Sequence, residues 1–307
     1  TGPGEFYCLY SEDDFERRPD HQTPDILRSD IAHIVLAMKN MGIENVFDFD
    51  FIDRPENSSI QSAIKRLKTL GALDDLEQIT EIGKTMVEIP VEPKIARMII
   101  EANKYGCVDN VCIAAGFLGG KSVFSRPKGK ENEARKEHEK FKDPQSDFQT
   151  FINVWKEYEL SGYSPKWCFE NYLNYKVLEE VRNIRFQLLR ILNRKGIEAS
   201  YSEDIDDIGR CFASGLAENL MISKGSNRKG EVFYRSVEEI RSSRNSYFSA
   251  NNDYLIHPGS SLFENDPDIM ASLKLTKTKR DFAQINQTIN PSWLIEMIPD
   301  LIENIEN

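Results

Sequence analysis

Residues 58–80 read SSIQSAIKRLKTLGALDDLEQIT, and their spacing decides what fold the chain can start with. Ile60, Ala63, Ile64, Leu67 and Leu70 recur every three or four residues, the stripe of a helix with one buried face. Ser58 followed by Gln61 predicts a capping box at its start, and Gly71 predicts its stop. The continuation ALDDLEQIT reads as a short hairpin with an acidic turn. Upstream, Thr23-Pro24 opens an earlier helix with Leu27, Ile31, Ile34, Val35 and Met38 on one side, closed by Gly42. The loop VFDFDFIDRP separates the two helices. Helix, helix and small hairpin within so short a segment outline a winged helix over 21–89. A DNA reader would need a basic recognition helix. Here the second helix offers only Lys65, Arg66 and Lys68, in a segment (1–90) of net charge −9.

Downstream the pattern is helical to about residue 200. Pro93 starts VEPKIARMIIEANKYG, and Asp109 is placed to cap NVCIAAGFLG. EARKEHEKFK is polar nearly all round, which predicts a surface helix. SDFQTFINVWKEYE puts Phe148, Phe151, Ile152 and Trp155 on one face. Ser164-Pro165 opens KWCFENYL, and VLEEVRNIRFQLLRIL buries Leu178, Val181, Ile184, Leu188 and Leu192. A helical bundle over 90–200 follows. Beyond one more helix around IGRCFASGLAE the period changes. EVFYRSV, NSYFSA, DYLIHP, MASLKLT and FAQINQTI read as five short strands, and Pro291 and Trp293 open a final helix. Five strands of this size predict a small barrel over 201–307, of the oligonucleotide-binding type. The fold class is therefore multidomain α+β: a winged helix and a helical bundle, mostly α, followed by a small β-barrel.

A chain of 307 residues, 40% hydrophobic and 29% charged, suits about two or three soluble domains. No apolar run approaches the ~18 residues of a membrane span. Five scattered cysteines without a CxxC argue against a disulfide framework or zinc site and for a reducing compartment. The total charge of −11 is uneven: 91–200 carries +4 between segments of −9 and −6. A polyanion would sit on that middle third. No GxxxxGK[ST] is present. GFLGGKS at 116–122 has the wrong glycine spacing and follows a helix rather than a strand. No nucleophile elbow, HExxH or metal-spaced histidines occur, so no catalytic residue and no metal ligand is assigned.

The ordered motifs resemble the region that follows the motor in DEAH-box RNA helicases. TPDILRSDIAHIVLAMKNMGI, FDFIDRP and AIKRLKTLGALD resemble the family's winged helix, and LEQITEIGKTM and IPVEPKIARMI lead into its helical ratchet. SVFSRP, SDFQTFINVW, WCFENYLNYKVL and IRFQL resemble later ratchet signatures. HPGSSLF and INPSWLIEMIP resemble the closing OB-fold barrel. The resemblance implies that TGPGEFYCLY, apolar on both faces, is the last strand of a second RecA-like motor domain over 1–20, so it should lack its sheet. It further implies a fragment of an ATP-dependent RNA helicase that guides and holds single-stranded RNA, or DNA, during translocation. ATP and Mg would bind the full-length enzyme's motor, with no cofactor in this segment. The setting would be cytoplasmic, or nuclear in a eukaryote, with no membrane partner. Two departures stand out. Phe282-Ala283-Gln284 lacks an Arg that the family usually carries there, and SKGSNRKGEVFYRSVEEIRSSRNS adds residues to the barrel.

Amides and cations suit contacts to phosphate and sugar that are blind to sequence. On that basis Asn171, Asn174, Lys176, Arg182 and Arg185 in the ratchet, and Lys277, Lys279 and Arg280 in the barrel, are the candidate RNA contacts. The same residues could instead cap helices, pair with Glu179 or Glu180, or protect a strand edge. An alternative role is a protein-interaction platform, whose acidic first and last segments dock a basic or glycine-rich activator peptide.

Overall fold

Two helices, packed against each other across the stripe that begins at Ile60, form the first core of the chain. In the computed structural model, residues 2–19, 22, 24–28, 30–228, 230–237, 253–277 and 280–293 are described. The first helical segment is split into α2 (Asp25–Arg28) and α3 (Ala32–Asn40), after a short α1 (Glu12–Glu16). The break follows from Asp30, whose carboxylate accepts from the backbone N–H of Ala32 (3.0 Å) and restarts the helix. α4 (Asn57–Thr69) begins directly behind Pro55-Glu56, one residue before the expected start. The capping box does not form, because the Ser58 hydroxyl donates to Glu56 (3.1 Å) instead. Ile60, Ala63, Ile64, Leu67 and Leu70 are all buried, and Gly71 leaves the helix at φ +69°. The wing is a single bridge, Leu73–Ile79, rather than a ladder. Gln78 N–H donates to the Asp74 carboxylate (2.8 Å), and Thr80 immediately caps α5 (Glu81–Glu88), so no residues are left to extend it.

The middle of the chain is helical: α6 (Pro93–Tyr105), α7 (Val108–Leu118), α8 (Glu131–Glu139), α9 (Asp147–Leu160), α10 (Pro165–Glu170) and α11 (Tyr175–Arg194). Pro93 and Pro165 sit at helix starts, and Ser164 accepts from the Trp167 N–H (3.3 Å) as N-cap. α7 packs closely along α11 at Gly116, where an added Cβ would stand 2.9 Å from Val181 Cγ1. Asp109 is not a cap. Cys107 holds the N-cap position of α7, which frees Asp109 for an ion pair described below. α8 is polar on its outside, yet Ala134 and His138 are buried, which corrects the expectation of an all-round surface helix.

α12 (Ile205–Leu216) lies against α6 and leads into the barrel. Its strands are β1 (Leu220–Ser226), β2 (Val232–Ser236), β3 (Leu255–Ile256), β4 (Ile269–Thr276) and β5 (Phe282–Thr288), in the order β2-β1-β4-β5-β3. β3 runs parallel to β5 and the other ladders are antiparallel. A reciprocal backbone pair between Tyr234 and Tyr254 (2.8 Å each way) nearly closes the sheet into a barrel. Met221, Tyr234, Tyr254, Ile256, Leu262, Met270 and Ala283 fill its interior. β1 is not among the expected strands, because LMISKGS carries only a short apolar start. The expected NSYFSA strand, most of the final helix and Thr23 lie outside the described residues. Residues 6–10 form no strand; Phe6, Tyr7 and Leu9 are exposed, Leu9 at 99%. Among the described residues no helix is long and apolar enough to cross a membrane.

Candidate nucleic-acid interface

The bundle and the barrel meet at the N-terminus of α9. Ser146 caps that helix, its Oγ accepting from the Gln149 N–H (3.0 Å), and this turns the next side chain, Asp147, into the barrel. Asp147 is buried, and among the described residues it has no cation partner. Its Oδ1 accepts from the Ser261 N–H (2.5 Å), and its Oδ2 from the Ser260 hydroxyl (2.7 Å) and the Asn286 N–H (2.7 Å). Burial raises the Asp147 carboxyl above the ordinary aspartate value, while these donors act in the other direction. Thr150 and Ser261 share a hydroxyl pair at 2.7 Å, and Thr288 N–H donates to the Gln145 carbonyl (2.8 Å). The loop 257–262 and β5 are thereby fixed to α9. Ile285, directly before Asn286, has φ +58°. That is rare for a β-branched residue and costs on the order of 1–3 kcal/mol, a kind of strain that clusters at functional sites.

A groove runs over this junction. A cavity of about 350 Å³ is lined by Lys121, Ser122, His257, Lys274, Gln284 and Ile285, among others. A second, of about 480 Å³, shares Leu118, Lys274 and Ile285 with it and extends to Val91, Glu92 and Leu188. Lys121 and Lys274 are exposed and form no ion pair among the described residues. Phe117 and Phe151 stack beneath the groove, ring centroids 5.0 Å apart. Two unneutralised ammoniums over an apolar, partly aromatic floor can bind phosphates and sugar without reading base edges.

The residues singled out from the sequence lie elsewhere; none of the seven described lines either cavity. Asn171 is 6% exposed; its Nδ2 donates to the Trp167 carbonyl (2.7 Å) and its Oδ1 accepts from Lys140. Asn174 is the N-cap of α11, accepting from the Lys176 N–H (3.2 Å). Arg185 forms a two-bond pair with Asp109 (2.6 Å for both), with its guanidinium 5.4 Å from the Trp155 ring centre. Its carboxylate partner and half-buried position assign it to the bundle's packing. Arg182 is exposed and stacks at 4.1 Å on Tyr163, and Lys176 is exposed. In the barrel, Lys277 is exposed and Arg280 pairs with Glu231 (2.7 Å), while Lys279 lies outside the described residues. The groove residues did leave signals in the sequence. Lys121 and Ser122 end the GFLGGKS stretch, His257 opens HPGSSLF, and Lys274 interrupts an apolar strand.

Comparison with known proteins agrees with this architecture. Residues 63–91 match the winged-helix helicase associated domain (HA2), 92–151 the ratchet-like HA2 domain, and 208–301 the oligonucleotide/oligosaccharide-binding fold. These three models, in this order, and the helicase relative below match the C-terminal helicase region that the sequence resembles. The chain is similar to the pre-mRNA-splicing factor ATP-dependent RNA helicase prp22 of Schizosaccharomyces pombe, 29% identical over 302 residues. That alignment covers 97% of the chain but 24% of the relative, so the chain spans about a quarter of that protein's length. Within this architecture the groove lies where the ratchet-like and OB-fold segments meet.

Proposed function

We propose that the chain guides and holds single-stranded RNA in an ATP-dependent DEAH-type RNA helicase, with the strand lying in the groove between ratchet and barrel. The observation that carries this reading is the pair of unneutralised lysines, Lys121 and Lys274, flanking the strained Ile285 at a junction fixed by Asp147. The fixed junction suits a surface that must hold a strand while other domains move. ATP and Mg fit the present residues poorly. Gly119 and Gly120 follow the C-terminal end of α7, so no helix N-terminus faces a phosphate there, and no step is assigned to nucleotide in this segment. Nucleotide would bind RecA-like motor domains, which we take as this segment's working partners.

The test is fluorescence anisotropy of a labelled poly-U oligonucleotide at 50 and 200 mM salt. Binding should weaken steeply with salt, and Lys121→Glu with Lys274→Glu should abolish most of it. Affinity unchanged in that double variant would remove the groove from the path. A second reading, an activator peptide docking on the winged helix, is favoured by Met41, Ile52 and Leu76. These are at least 70% exposed in the acidic first segment. It would gain if the oligonucleotide failed to bind while a basic peptide did.

A further inference from the structure

On the far side of the 257–262 loop lies a separate cavity of about 590 Å³. α8 and its flanks supply Arg126, Arg135, His138 and Lys142, and the barrel supplies Pro258, Phe263 and Glu264. Lys142 is paired with Glu139 (2.7 Å), whereas Arg126 and Arg135 form no salt bridge among the described residues. His138 is 4% exposed. Its Nε2 donates to the Tyr172 carbonyl (3.0 Å), which leaves Nδ1 as the ring's acceptor, buried and without a hydrogen-bond partner among the described residues. Two guanidiniums without a salt bridge among the described residues line the cavity beside this imidazole, a wall with the donors for an anion. We infer that this cavity is a second backbone site, taking a phosphodiester of the same strand after it passes over Ser261.

The inference rests on the groove reading, and the two cavities adjoin at the 257–262 loop, where Ser261 lines both. Arginine forks suit phosphate oxygens, and Pro258 and Phe263 give the sugar an apolar wall. The imidazole supplies a signature. Burial, Arg126 and Lys142 lower its pKa; the Tyr172 carbonyl and Glu137 act the other way. Arg135, Glu139 and Glu264 complete the charges around the cavity. A bound phosphate offsets the arginines, so the pKa of His138 rises on binding and the complex takes up a proton. Binding should therefore be several-fold tighter at pH 6 than at pH 8, and His138→Gln should flatten that dependence.

The experiment titrates the intact chain with poly-U of about four and about ten nucleotides. Arg126→Gln with Arg135→Gln should weaken the longer oligonucleotide roughly tenfold and lower its log–log salt slope by about 0.7 for each phosphate that is no longer neutralised. The short oligonucleotide should be affected little, since it fills only the groove. An unchanged slope for the longer strand in this variant would overturn the inference while leaving the groove reading intact, provided the Lys121/Lys274 variant still fails to bind. If inorganic phosphate alone competes at the cavity and strand length has no effect, the site takes a free anion and the strand path is refuted. A wild-type chain that binds neither oligonucleotide at 50 mM salt overturns both.

Discussion

Replacing Asp147 by Asn keeps the volume of the side chain and removes one acceptor oxygen from a point where three donors converge. If the remaining oxygen keeps the Ser261 N–H, the new NH2 group faces the Ser260 hydroxyl and the Asn286 N–H. The Ser260 oxygen cannot take the new N–H without giving up a bond, since its two lone pairs already accept from Asn286 Nδ2 (3.0 Å) and the Leu262 N–H (3.2 Å). The Asn286 N–H cannot turn, and an unsatisfied buried N–H costs about 1–3 kcal/mol. The Ser261 bond also loses its charge assistance, about 1 kcal/mol. Relief of the buried charge returns part of this, leaving a loss of about 2 kcal/mol. At about 2–4 °C per kcal/mol for a protein of this size, the thermal midpoint should fall by roughly 4–8 °C. Asp53→Asn, at an exposed position, should not move it. The same variant, assayed well below its midpoint, should bind poly-U less tightly, because Ile285 and the 257–262 loop are no longer held in the groove. A midpoint within 1 °C of wild type would refute the claim that this carboxylate holds the junction.

Three further substitutions and one chemical treatment probe other parts of the frame. Gly116→Ala gains about 1 kcal/mol of helix propensity but drives a methyl against Val181; overpacking of about 1–3 kcal/mol should win, giving net destabilisation by thermal unfolding. Gly119→Ala meets nothing within 4 Å and should change stability by less than about 0.5 kcal/mol. Glu218 accepts from Arg66 at 2.7 and 2.9 Å and pairs with Lys94 at 3.1 Å, joining winged helix, ratchet and barrel. Burial pushes its carboxyl up, but these partners outweigh burial and hold it below the ordinary 4.5. Its contribution is therefore present above about 4.5 and lost as pH falls through the lower folded value. Glu218→Gln should cost about 1–3 kcal/mol at pH 7, with the difference from wild type shrinking in acid, as read from urea midpoints. Iodoacetamide at pH 8 should label Cys8 first by mass spectrometry. Cys8 is exposed, while burial pushes Cys112 up to about 12 and Cys168 up to about 11.

Periodicity made the helices legible, because Ile60–Leu70, Phe148–Trp155 and Leu178–Leu192 bury single faces that recur in sequence. The ends were less legible where a short polar side chain competes with the backbone, as Asp30 does in splitting the first helix and Ser58 in turning to Glu56. Charge counting led to the basic middle third but could not tell which of its residues are already partnered. Arg185 and Asn171 have the right chemistry, yet Asp109 and Lys140 occupy them, and those partners are 76 and 31 residues away in the chain. What distinguishes Lys121 and Lys274 is that both line one groove and form no ion pair among the described residues, which is a property of the folded neighbourhood rather than of the residue. The groove itself depends on Asp147 facing a barrel more than a hundred residues downstream, with donors at Ser260, Ser261 and Asn286. A carboxylate one residue past a helix cap reads locally as a dipole-satisfying surface group. Only the fold turns it inward, and there it couples the ratchet to the strained strand that borders the proposed RNA path.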